Sequence, residues 1–374
     1  MVGERKKVFV ALSGGVDSST AAALLRQNGF DCAGVFIVTS DESRGAQADA
    51  EEAAGRLGIK LYVLDLRSDF ERILDYFCSE YKRGRTPNPC VFCNRYIKFG
   101  KLWDFARGNG AQLLATGHYA RIFDARCSIL DARKREESRI GNRESGIEND
   151  EVGLYEAVDS DKDQSYVLSM IDKDILPYVI LPMGGYSKGQ TREMAAKFGL
   201  GTEERQESQE ICFIPNDDYV AVLERRCPEV VRKGNIVDSN GNILGEHNGV
   251  HRFTIGQRRG LRVAMGKPYY VVKIDAESNT VTLGPKEEVM QRQLRATGVN
   301  WLTSEPASAF RAKVKIRYND RGASATVSPQ DNGVFVEFDE PLAAITPGQL
   351  AVFYVQEGNG SRVVGGGWIE KVAD

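Results

Sequence analysis

The stretch Ser13-Gly14-Gly15-Val16-Asp17-Ser18 lies between an apolar run at residues 8–12 and an alanine-rich segment with a helical pattern. This order predicts a strand, a tight turn and a helix. Paired glycines let backbone N–H groups close around an anion, serine hydroxyls add donors, and the helix N-terminus contributes about half a positive charge. The stretch therefore predicts a phosphate site. The simpler interpretation is an ordinary glycine turn with a serine cap.

Asp17 does not suit simple anion binding, because a carboxylate facing phosphates repels them unless a divalent cation lies between them. Its presence in the turn therefore predicts a Mg²⁺-nucleotide. The turn lacks the Gly-Lys-Ser/Thr of a Walker loop. It resembles instead the PP-loop, which binds pyrophosphate in enzymes that cleave ATP to AMP and pyrophosphate.

Length and composition limit the class of protein. A chain of 374 residues with 42% hydrophobic content is long enough for two or three domains. Residues 1–7 are polar and the next apolar stretch has only five residues, too short for a signal peptide or a membrane span. We therefore expect a cytoplasmic protein with no membrane partner. The net charge of −3 weakly disfavours a nucleic-acid partner, although the local distribution of charge decides that question.

Apolar runs alternate with helix-like segments over the N-terminal third of the chain. Strands are predicted at 6–12, 31–38, 60–66 and 111–115, and helices near 16–28, 44–57, 67–83 and 94–108. Continuously apolar strands between helices imply an α/β fold whose parallel sheet is covered on both faces, with ligands at the carboxyl ends of the strands. We expect residues 13–18, Ile37 and Thr116-Gly117-His118 to converge on one nucleotide crevice.

The pattern of apolar and charged residues changes twice in the rest of the chain. Residues 124–150 contain no aromatic side chain and are dense in charge, which is typical of a solvated or disordered segment. Helical patterns return at 163–171 and at Lys188–Phe198, where Ser187 is the predicted N-cap and Gly199 the stop. After a short helix near 217–226, alternating strands with glycine turns follow, at 269–274, 280–284, 334–338 and 351–355.

These patterns predict three domains. A parallel-sheet domain occupies residues 1–205, a small β-rich domain occupies 206–287, and a β-barrel occupies 288–374. The boundaries lie where the pattern changes from alternating helices and strands to strands alone.

Seven cysteines, an odd number in a long chain, do not suggest a disulfide framework. Two of them form a Cys-x-x-Cys pair in Pro87–Asn94, which two prolines predict to be an irregular loop, and a third is Cys212. The pair alone fits a structural zinc half-site, a redox pair or two incidental thiols. We expect the other four to be buried small hydrophobes or inert surface thiols; they are Cys32, Cys78, Cys127 and Cys227.

Six motifs, in one order over nearly the whole chain, resemble those of the bacterial tRNA-specific 2-thiouridylases. They are SGGVDSS, PNPCVFCN, ATGHYAR (115–121), KDQSY (162–166), SQEICFI and TPGQLAVFY (346–354). The resemblance implies a PP-loop domain, a small central domain and a C-terminal β-barrel. It also implies ATP-dependent replacement of the 2-oxygen of the wobble uridine by sulfur.

The resemblance assigns roles to individual residues. It places ATP on Ala11, Leu12, Ser13, Gly14, Gly15, Val16, Asp17, Ser18, Ile37 and Gly117. It places the target base beside Asn88, Pro89 and Cys90, and tRNA contacts at His118, Lys162, Asp163, Gln164, Arg317, Tyr318 and Gln349. Cys93 corresponds to the catalytic cysteine, and Cys212 to the cysteine that carries a persulfide and transfers its terminal sulfur. Both need thiolate character, which a nearby cation, a helix N-terminus or a metal supplies.

Cys90 departs from the pattern of many members, which have aspartate at that position. With Cys90, Cys93 and Cys212 present, three thiolates are available to ligate a [4Fe-4S] cluster and leave one iron open for sulfide. A persulfide and disulfide route is the alternative, and three soft ligands also suit zinc.

Two basic stretches are candidates for tRNA binding. Residues 311–318 alternate strictly, so a strand would place four cations on one face and send the other face into the barrel core. Residues 251–260 add cations interleaved with glycine on a predicted loop. Solvated polar faces are the simpler interpretation of both stretches.

Two other functions remain open. A PP-loop ligase acting on a small molecule would leave Cys93 and Cys212 without a role. A non-catalytic tRNA-binding protein would use the three cysteines for structural zinc. For the thiolation reaction, the expected partners are tRNA and a persulfide sulfur carrier or cysteine desulfurase relay protein, and we expect a monomer.

Overall fold

The computed structural model describes residues 5–124, 152–202, 211–261, 263, 266 and 268–370. The charged segment after Asp124, Cys127 and the predicted boundary at 205 lie outside the described residues. Within the described part of the chain, no helix combines the length and the apolar character needed to cross a bilayer.

The first part of the chain builds a parallel sheet with helices on both sides. The sheet strands are β1 Lys7–Ala11, β2 Asp31–Val38, β3 Lys60–Asp65, β4 Leu113–Ala115 and β7 Val179–Ile180. Two more strands of this part of the chain, β5 Arg121–Asp124 and β6 Val152–Tyr155, lie outside that sheet. Its helices are α1 Val16–Gln27, α2 Arg44–Leu57, α3 Arg67–Lys82, α4 Pro89–Cys93, a π-helix at Asn94–Lys101, α5 Leu102–Gly108, α6 Ser165–Leu168 and α7 Lys188–Lys197. Short 3-10 turns occupy Asp41–Ser43, Lys173–Tyr178 and Pro182–Gly185.

The sheet has the strand order β3-β2-β1-β4-β7, and all of its pairings are parallel. Alternate residues of the central strand face opposite layers. Phe9 packs with Val35 and Leu114 in one apolar cluster, whereas Val8 and Val10 pack in another. Both faces are therefore covered, and the predicted α/β parallel-sheet fold is confirmed.

The second half of the chain is mainly β structure. It contains α8 Tyr219–Arg226, β8 Gly234–Asp238, β9 Ile243–His247, β10 Tyr270–Asp275 and β11 Thr280–Gly284. The barrel strands are β12 Met290–Trp301, β13 Phe310–Lys315, β14 Ala323–Gln330, β15 Gly333–Ala343, β16 Leu350–Glu357 and β17 Gly360–Ile369. Further 3-10 turns lie at Pro215–Asp217, Pro228–Val230, Val250–Arg252 and Lys286–Val289.

The strands β12 to β17 close into an antiparallel barrel, because β12 pairs with β15 on one side and with β17 on the other. The predicted C-terminal barrel is thus confirmed. The hairpin of β5 and β6 comes from the first half of the chain, yet β6 pairs with β17 through Tyr155 and Arg362. Sheet hydrogen bonding therefore joins the first domain to the barrel.

The segment with the Cys-x-x-Cys pair is helical, so the predicted irregular loop is wrong. Pro89 is the first residue of α4, and the side chain of Asn88 caps the helix by accepting a hydrogen bond from the Val91 N–H at 3.4 Å. Proline suits the first helical position because an N–H there has no partner within the helix. Cys90 and Cys93 consequently lie on a helix that Pro89 starts.

The predicted helix at 163–171 is shorter in the structure, where only α6 is helical. The Asp163 carboxylate takes backbone N–H groups as hydrogen-bond donors and so offers an alternative to the helical pattern. Its Oδ1 accepts hydrogen bonds from the N–H groups of Ala157 and Ser165, at 2.9 and 3.2 Å. The prediction for α7 is confirmed, since Ser187 caps the helix and Gly199, beyond its end, has φ +65°.

Two of the cysteines expected to be unpaired thiols form a disulfide instead. Cys78 of α3 is bonded to Cys227, the residue after α8, across a sequence separation of 149. Both are buried in an apolar cluster with Phe77 and Leu223. The expectation that they are isolated thiols is therefore wrong, because tertiary packing brings distant helices together.

The alternation at 311–318 is confirmed over β13, where Ala312 and Val314 face the barrel core. Its cations, however, are paired within the protein. Arg311 forms an exposed ion pair with Asp339 at 2.5 Å. The strand ends at Lys315, so the predicted row of four cations on one strand face is wrong at its last member.

Lys315 is a buried cation between two carboxylates. Its Nζ lies 2.8 Å from Glu156 and 3.1 Å from Asp163, and Lys313 also approaches Glu156 at 2.8 Å. Burial lowers the pKa of Lys315, but the attraction of the two carboxylates outweighs it and the pKa is raised. Since Lys315 belongs to the barrel and both carboxylates precede α7, this group ties the two halves together.

We expect Lys315→Ala to lower the free energy of unfolding by about 3–5 kcal/mol, because it leaves the buried Asp163 carboxylate without its cation. The control is Arg311→Ala on the same strand, whose exposed ion pair is screened by water and contributes far less. Urea unfolding followed by the fluorescence of the barrel tryptophans measures both. Equal losses in the two variants would contradict the assignment.

Candidate active site

The Ser13–Ser18 loop joins β1 to α1. The two serine hydroxyls lie 3.1 Å apart, and Ser18 Oγ accepts a hydrogen bond from Ser13 N–H at 3.2 Å. Gly14 has φ +79°, and a methyl group there would lie 2.5 Å from Asp49 Cβ. Only glycine therefore fits between the loop and α2. The loop is folded on itself, and the N-terminus of α1 points into it.

The backbone after β4 packs directly on this loop. A methyl group at Gly117 would lie 2.7 Å from the Ser18 nitrogen and 2.9 Å from the Asp17 carbonyl carbon. The loop and the residues after β4 thus meet at one edge of the sheet. Ile37, near the end of β2, borders the same apolar cluster as Cys93.

Asp17 faces a lysine that the sequence reasoning missed. Lys188 Nζ donates to both carboxylate oxygens of Asp17, at 2.7 and 2.8 Å, and the Tyr119 hydroxyl donates to one of them at 2.8 Å. The reciprocal cap between Ser187 and Gln190 starts α7 and fixes Lys188 as its first residue. The sequence predicts the cap, but no pattern in it indicates where the side chain of Lys188 points.

Three thiols form the second part of the site. Cys90 and Cys93 are partly buried on α4, and Cys212 has an exposed side chain on a separate segment. The protein around them removes water and raises the pKa of all three, that of Cys93 to about 12. Lys98 lowers the pKa of each thiol without cancelling the effect of burial. At neutral pH the thiols are therefore mostly protonated.

Lys98 links these thiols to His118. Its Nζ lies 3.5 Å from His118 Nε2, and Thr116 Oγ1 lies 2.7 Å from His118 Nδ1. Burial, and then Lys98, holds the pKa of His118 well below its usual range. An ammonium can only donate, so Nε2 accepts from Lys98 and the neutral ring carries its proton on Nδ1.

The π-helix explains how Lys98 comes near Cys93. In an α-helix, residues five apart point about 140° away from each other, because each residue advances about 100°. A π-helix has more residues per turn and so reduces that angle. Lys98 lies five residues after Cys93, within the π-helix that follows α4. The sequence gave no signal for this change of helix type.

The residues Lys162, Asp163 and Gln164 precede α6. The Gln164 N–H donates to the Tyr119 carbonyl at 2.7 Å, and the Tyr119 N–H donates to Gln164 Oε1 at 2.9 Å. Gln164 therefore positions Tyr119, whose hydroxyl reaches Asp17. Asp163 is buried against Lys315. The contacts of these three residues with tRNA stay predictions.

Gln349 of the barrel holds the chain that leads into α4. Its side-chain amide donates to the carbonyls of Thr86 and Pro87, at 2.9 and 3.4 Å. A methyl group at Gly348 would lie 2.9 Å from the Thr86 carbonyl oxygen. The TPGQ motif thus packs against the backbone next to Asn88.

Two further predicted tRNA contacts lie beyond the end of β13. Arg317 and Tyr318 are both exposed, and Arg317 donates a hydrogen bond to the Ala344 carbonyl. Partial burial, together with the Asp163 carboxylate and the Cys90 sulfur nearby, raises the pKa of Tyr318 to about 12. The barrel therefore brings Tyr318 close to α4, the helix that carries Cys90 and Cys93 and is called the thiol helix below.

The metal hypothesis has no support from the geometry. Among residues 5–124, 152–202, 211–261, 263, 266 and 268–370, no group of three or more His, Cys, Asp or Glu side chains is placed to hold a metal ion. Cys90, Cys93 and Cys212 as arranged do not fit a cluster. A [4Fe-4S] cluster stays a hypothesis from the sequence.

A parallel sheet with a tight glycine loop after its first strand, followed by two β domains, is the architecture of a HUP-domain protein. The family model described as "tRNA methyl transferase HUP domain" matches residues 6–216. The models described as "tRNA methyl transferase PRC-barrel domain" and "Aminomethyltransferase beta-barrel domain" match 221–285 and 291–369. The chain belongs to the tRNA-specific 2-thiouridylase (MnmA) family, as its relatives over the full length establish.

Among those relatives, "tRNA-specific 2-thiouridylase MnmA" of Carboxydothermus hydrogenoformans is 44% identical, with 98% of each chain covered. The protein of that name from Pelobacter propionicus is 43% identical, with 97% of each covered. A 4-thiouridine synthetase in a complex with RNA and bound ATP is 17% identical over 60% of this chain and 51% of that one, with a TM-score of 0.34. A TM-score this low supports no inference.

We expect Gly14→Ala to lower the rate of ATP cleavage by about 100-fold, because a shift of about 1 Å in a site can have that effect. The added methyl group would push the loop away from Asp49. Gly29→Ala is the matched control, since Gly29 also has positive φ but has no atom within 4 Å of the added methyl group. Pyrophosphate release measures both variants, and equal rates would contradict the steric argument.

Proposed function

We propose that this protein is an ATP-dependent tRNA-uridine 2-sulfurtransferase that acts on the wobble uridine. The observation that carries the proposal is the position of two adjacent residues. Gly117 packs on the loop at Ser18, and His118 contacts Lys98, which acts electrostatically on the three thiols. A nucleotide on the loop and a sulfur atom on a cysteine would therefore share one cleft. Membership of the 2-thiouridylase family supports the same reaction.

The first step activates the C2 oxygen of uridine, which is a poor leaving group. The oxygen attacks the α-phosphorus of ATP as N3 loses its proton, and the bond to pyrophosphate breaks. Backbone N–H groups of residues 13–18 and the N-terminus of α1 would bind the departing pyrophosphate. The proposed ATP contacts extend to Ala11, Leu12, Ile37 and Gly117.

Asp17 fits a Mg²⁺-nucleotide, since Mg²⁺ commonly binds one carboxylate together with substrate phosphates. When bound, the ion would offset the phosphate charge. Lys188 supplies a second positive charge at the same carboxylate. We propose that Lys188 holds Asp17 in place and lies beside the phosphates.

The second step transfers sulfur. Cys212, whose side chain is exposed, takes the terminal sulfur of a donor persulfide, and the donor leaves as a thiolate. The terminal sulfur of Cys212 then attacks C2, and AMP leaves with the electron pair of the C2–O bond. The Cys93 thiol loses its proton as its sulfur attacks Sγ of Cys212. The S–S bond to the transferred sulfur then breaks, and N3 takes up a proton as the C2=S group forms. A thiol reductant resets the Cys93–Cys212 disulfide.

The remaining assignments belong to the same proposal. Asn88, Pro89 and Cys90 would lie beside the target base, and His118, Arg317 and Tyr318 would contact tRNA. The partners are tRNA and a carrier of persulfide sulfur, and the protein acts in the cytoplasm as a monomer.

The test is thiolation of an unmodified tRNA transcript with ATP, Mg²⁺, a persulfide donor and a thiol reductant. We expect sulfur in the wobble uridine, and its loss in Cys93→Ser and Cys212→Ser, because both thiols take part in the transfer. Cys32→Ser is the matched control, since Cys32 is also unpaired but lies on β2. Wild-type protein that releases no AMP with tRNA present would contradict the proposal.

The same preparation, purified without oxygen, decides between the two sulfur routes. Full activity with no bound iron would exclude the cluster hypothesis. Stoichiometric iron that is lost in Cys90→Ser, together with activity, would favour the cluster over the persulfide route.

We expect Lys98→Met to slow alkylation of Cys93 by iodoacetamide. The increase of the alkylation rate with pH should also shift to higher pH. Lys98 lowers the pKa of this thiol, so its removal raises the pKa and reduces the thiolate fraction at any given pH. Lys101→Met on the same helical segment is the control, since Lys101 pairs with Asp69 instead. An unchanged pH profile in Lys98→Met would show that Lys98 does not act on Cys93.

A further inference from the structure

Three aromatic rings contact one another in a series that ends in solvent beside the thiol helix. Tyr76 of α3 stacks on Phe92 with a centroid distance of 4.4 Å and an interplanar angle of 14°. Phe92 in turn contacts Tyr96, with centroids 4.5 Å apart and ring planes tilted by 45°. Tyr96 is the outer ring, and 47% of its surface is exposed. An exposed ring is thus supported from below by two others.

The inner ring, Tyr76, is held between residues of two domains. Tyr76 lies on α3, and its ring also contacts Trp368 of the barrel with centroids 5.9 Å apart. Because Phe92 and Tyr96 are four residues apart on one helical segment, their side chains lie on the same face. The support for the Tyr96 ring therefore comes from α3, the barrel and its own helix together.

A cation accompanies the exposed ring. The guanidinium carbon of Arg95 lies 5.5 Å from the Tyr96 centroid. In the described part of the chain, Arg95 has no carboxylate partner within ion-pair distance. A ring and an adjacent guanidinium are the groups that bind unpaired nucleotides, the ring by stacking on the base and the cation by contact with base or phosphate.

The position of Tyr96 identifies which nucleotides it can reach. The Tyr96 ring contacts Phe92, the residue that precedes Cys93 in the chain. A uridine reacting at Cys93 therefore has its adjoining nucleotides close to Tyr96. Recognition of RNA loops by stacking needs bases that are splayed out of the helix, as a reacting base and its neighbours are.

We propose that Tyr96 and Arg95 form a stacking site for the nucleotide adjoining the reacting uridine in the anticodon loop. The inference rests on the proposed function and adds a binding subsite to it. The base stacks on the free face of Tyr96, and Arg95 contacts the phosphate or the edge of the stacked base. The site accepts any base, because every base has a face that can stack.

The experiment measures binding of an unmodified anticodon stem-loop RNA in which 2-aminopurine replaces the nucleotide 5′ or 3′ of the wobble uridine. Stacking on a ring quenches 2-aminopurine fluorescence. We expect Tyr96→Ala and Tyr96→Leu to weaken binding about 5- to 150-fold, the range for loss of one base–aromatic stack, and to remove the quenching in one of the two RNAs. Tyr96→Phe should retain both, because it keeps the ring.

Tyr178→Ala is the matched control. Tyr178 is 48% exposed and stacks on Trp103, so its removal also deletes an exposed, supported ring at another place. It should bind the RNA like the wild type. The Leu variant keeps an apolar contact with Phe92, so a loss shared by Ala and Leu but not Phe reports the ring and not a folding defect.

The outcomes separate the subsite from the proposed function. Wild-type affinity and quenching in Tyr96→Ala, with normal thiolation by the wild type, would overturn the subsite alone. Tyr96→Phe as weak as Tyr96→Ala would also overturn it, since the hydroxyl and not the ring would then bind. Loss of quenching in Tyr96→Ala, with a wild type that binds RNA but adds no sulfur to tRNA, would support the subsite and refute the proposed function. A wild type that does not bind the RNA would refute both.

Discussion

The close approach of Gly117 to the first turn of α1 is the constraint on which the site depends. With a side chain at this position, the backbone after β4 could not touch Ser18. This contact fixes the place of the next residue, His118, and through it the contact with Lys98. A single backbone contact thus sets the separation between the phosphate loop and the thiol helix.

The barrel completes the site as well as extending the chain. Gln349 holds the backbone before α4, Tyr318 comes near Cys90, and Lys315 is buried against Asp163 and its neighbour Glu156. The sheet pairing of β6 with β17 adds hydrogen bonds to these side-chain contacts. A large substrate that touches both halves therefore meets a surface whose parts are held in fixed register. This arrangement suits the proposed reaction, in which one base of a long RNA meets a partly buried thiol.

The sequence predicted the features that depend on local pattern. The bounds of β2 and α2 match because a continuous apolar run and an amphipathic period are each written in a few neighbouring residues. The Ser187 cap is local in the same way. The direction of Lys188 and the partners of Lys315 depend on residues more than 150 positions away, so no local pattern contains them. The π-helix was not predicted for another reason. Its sequence also suits an α-helix, and tertiary packing selects between the two.

The buried disulfide makes a covalent ring of the chain from Cys78 to Cys227. Cys90, Cys93 and Cys212 all fall inside this ring. A single cut of the backbone within the ring would open it without releasing a fragment, so the three thiols would stay on one molecule. The two sulfur atoms of the bond are themselves buried in an apolar cluster. They are consequently shielded from attack by the persulfides and thiolates that the proposed reaction brings to the same protein.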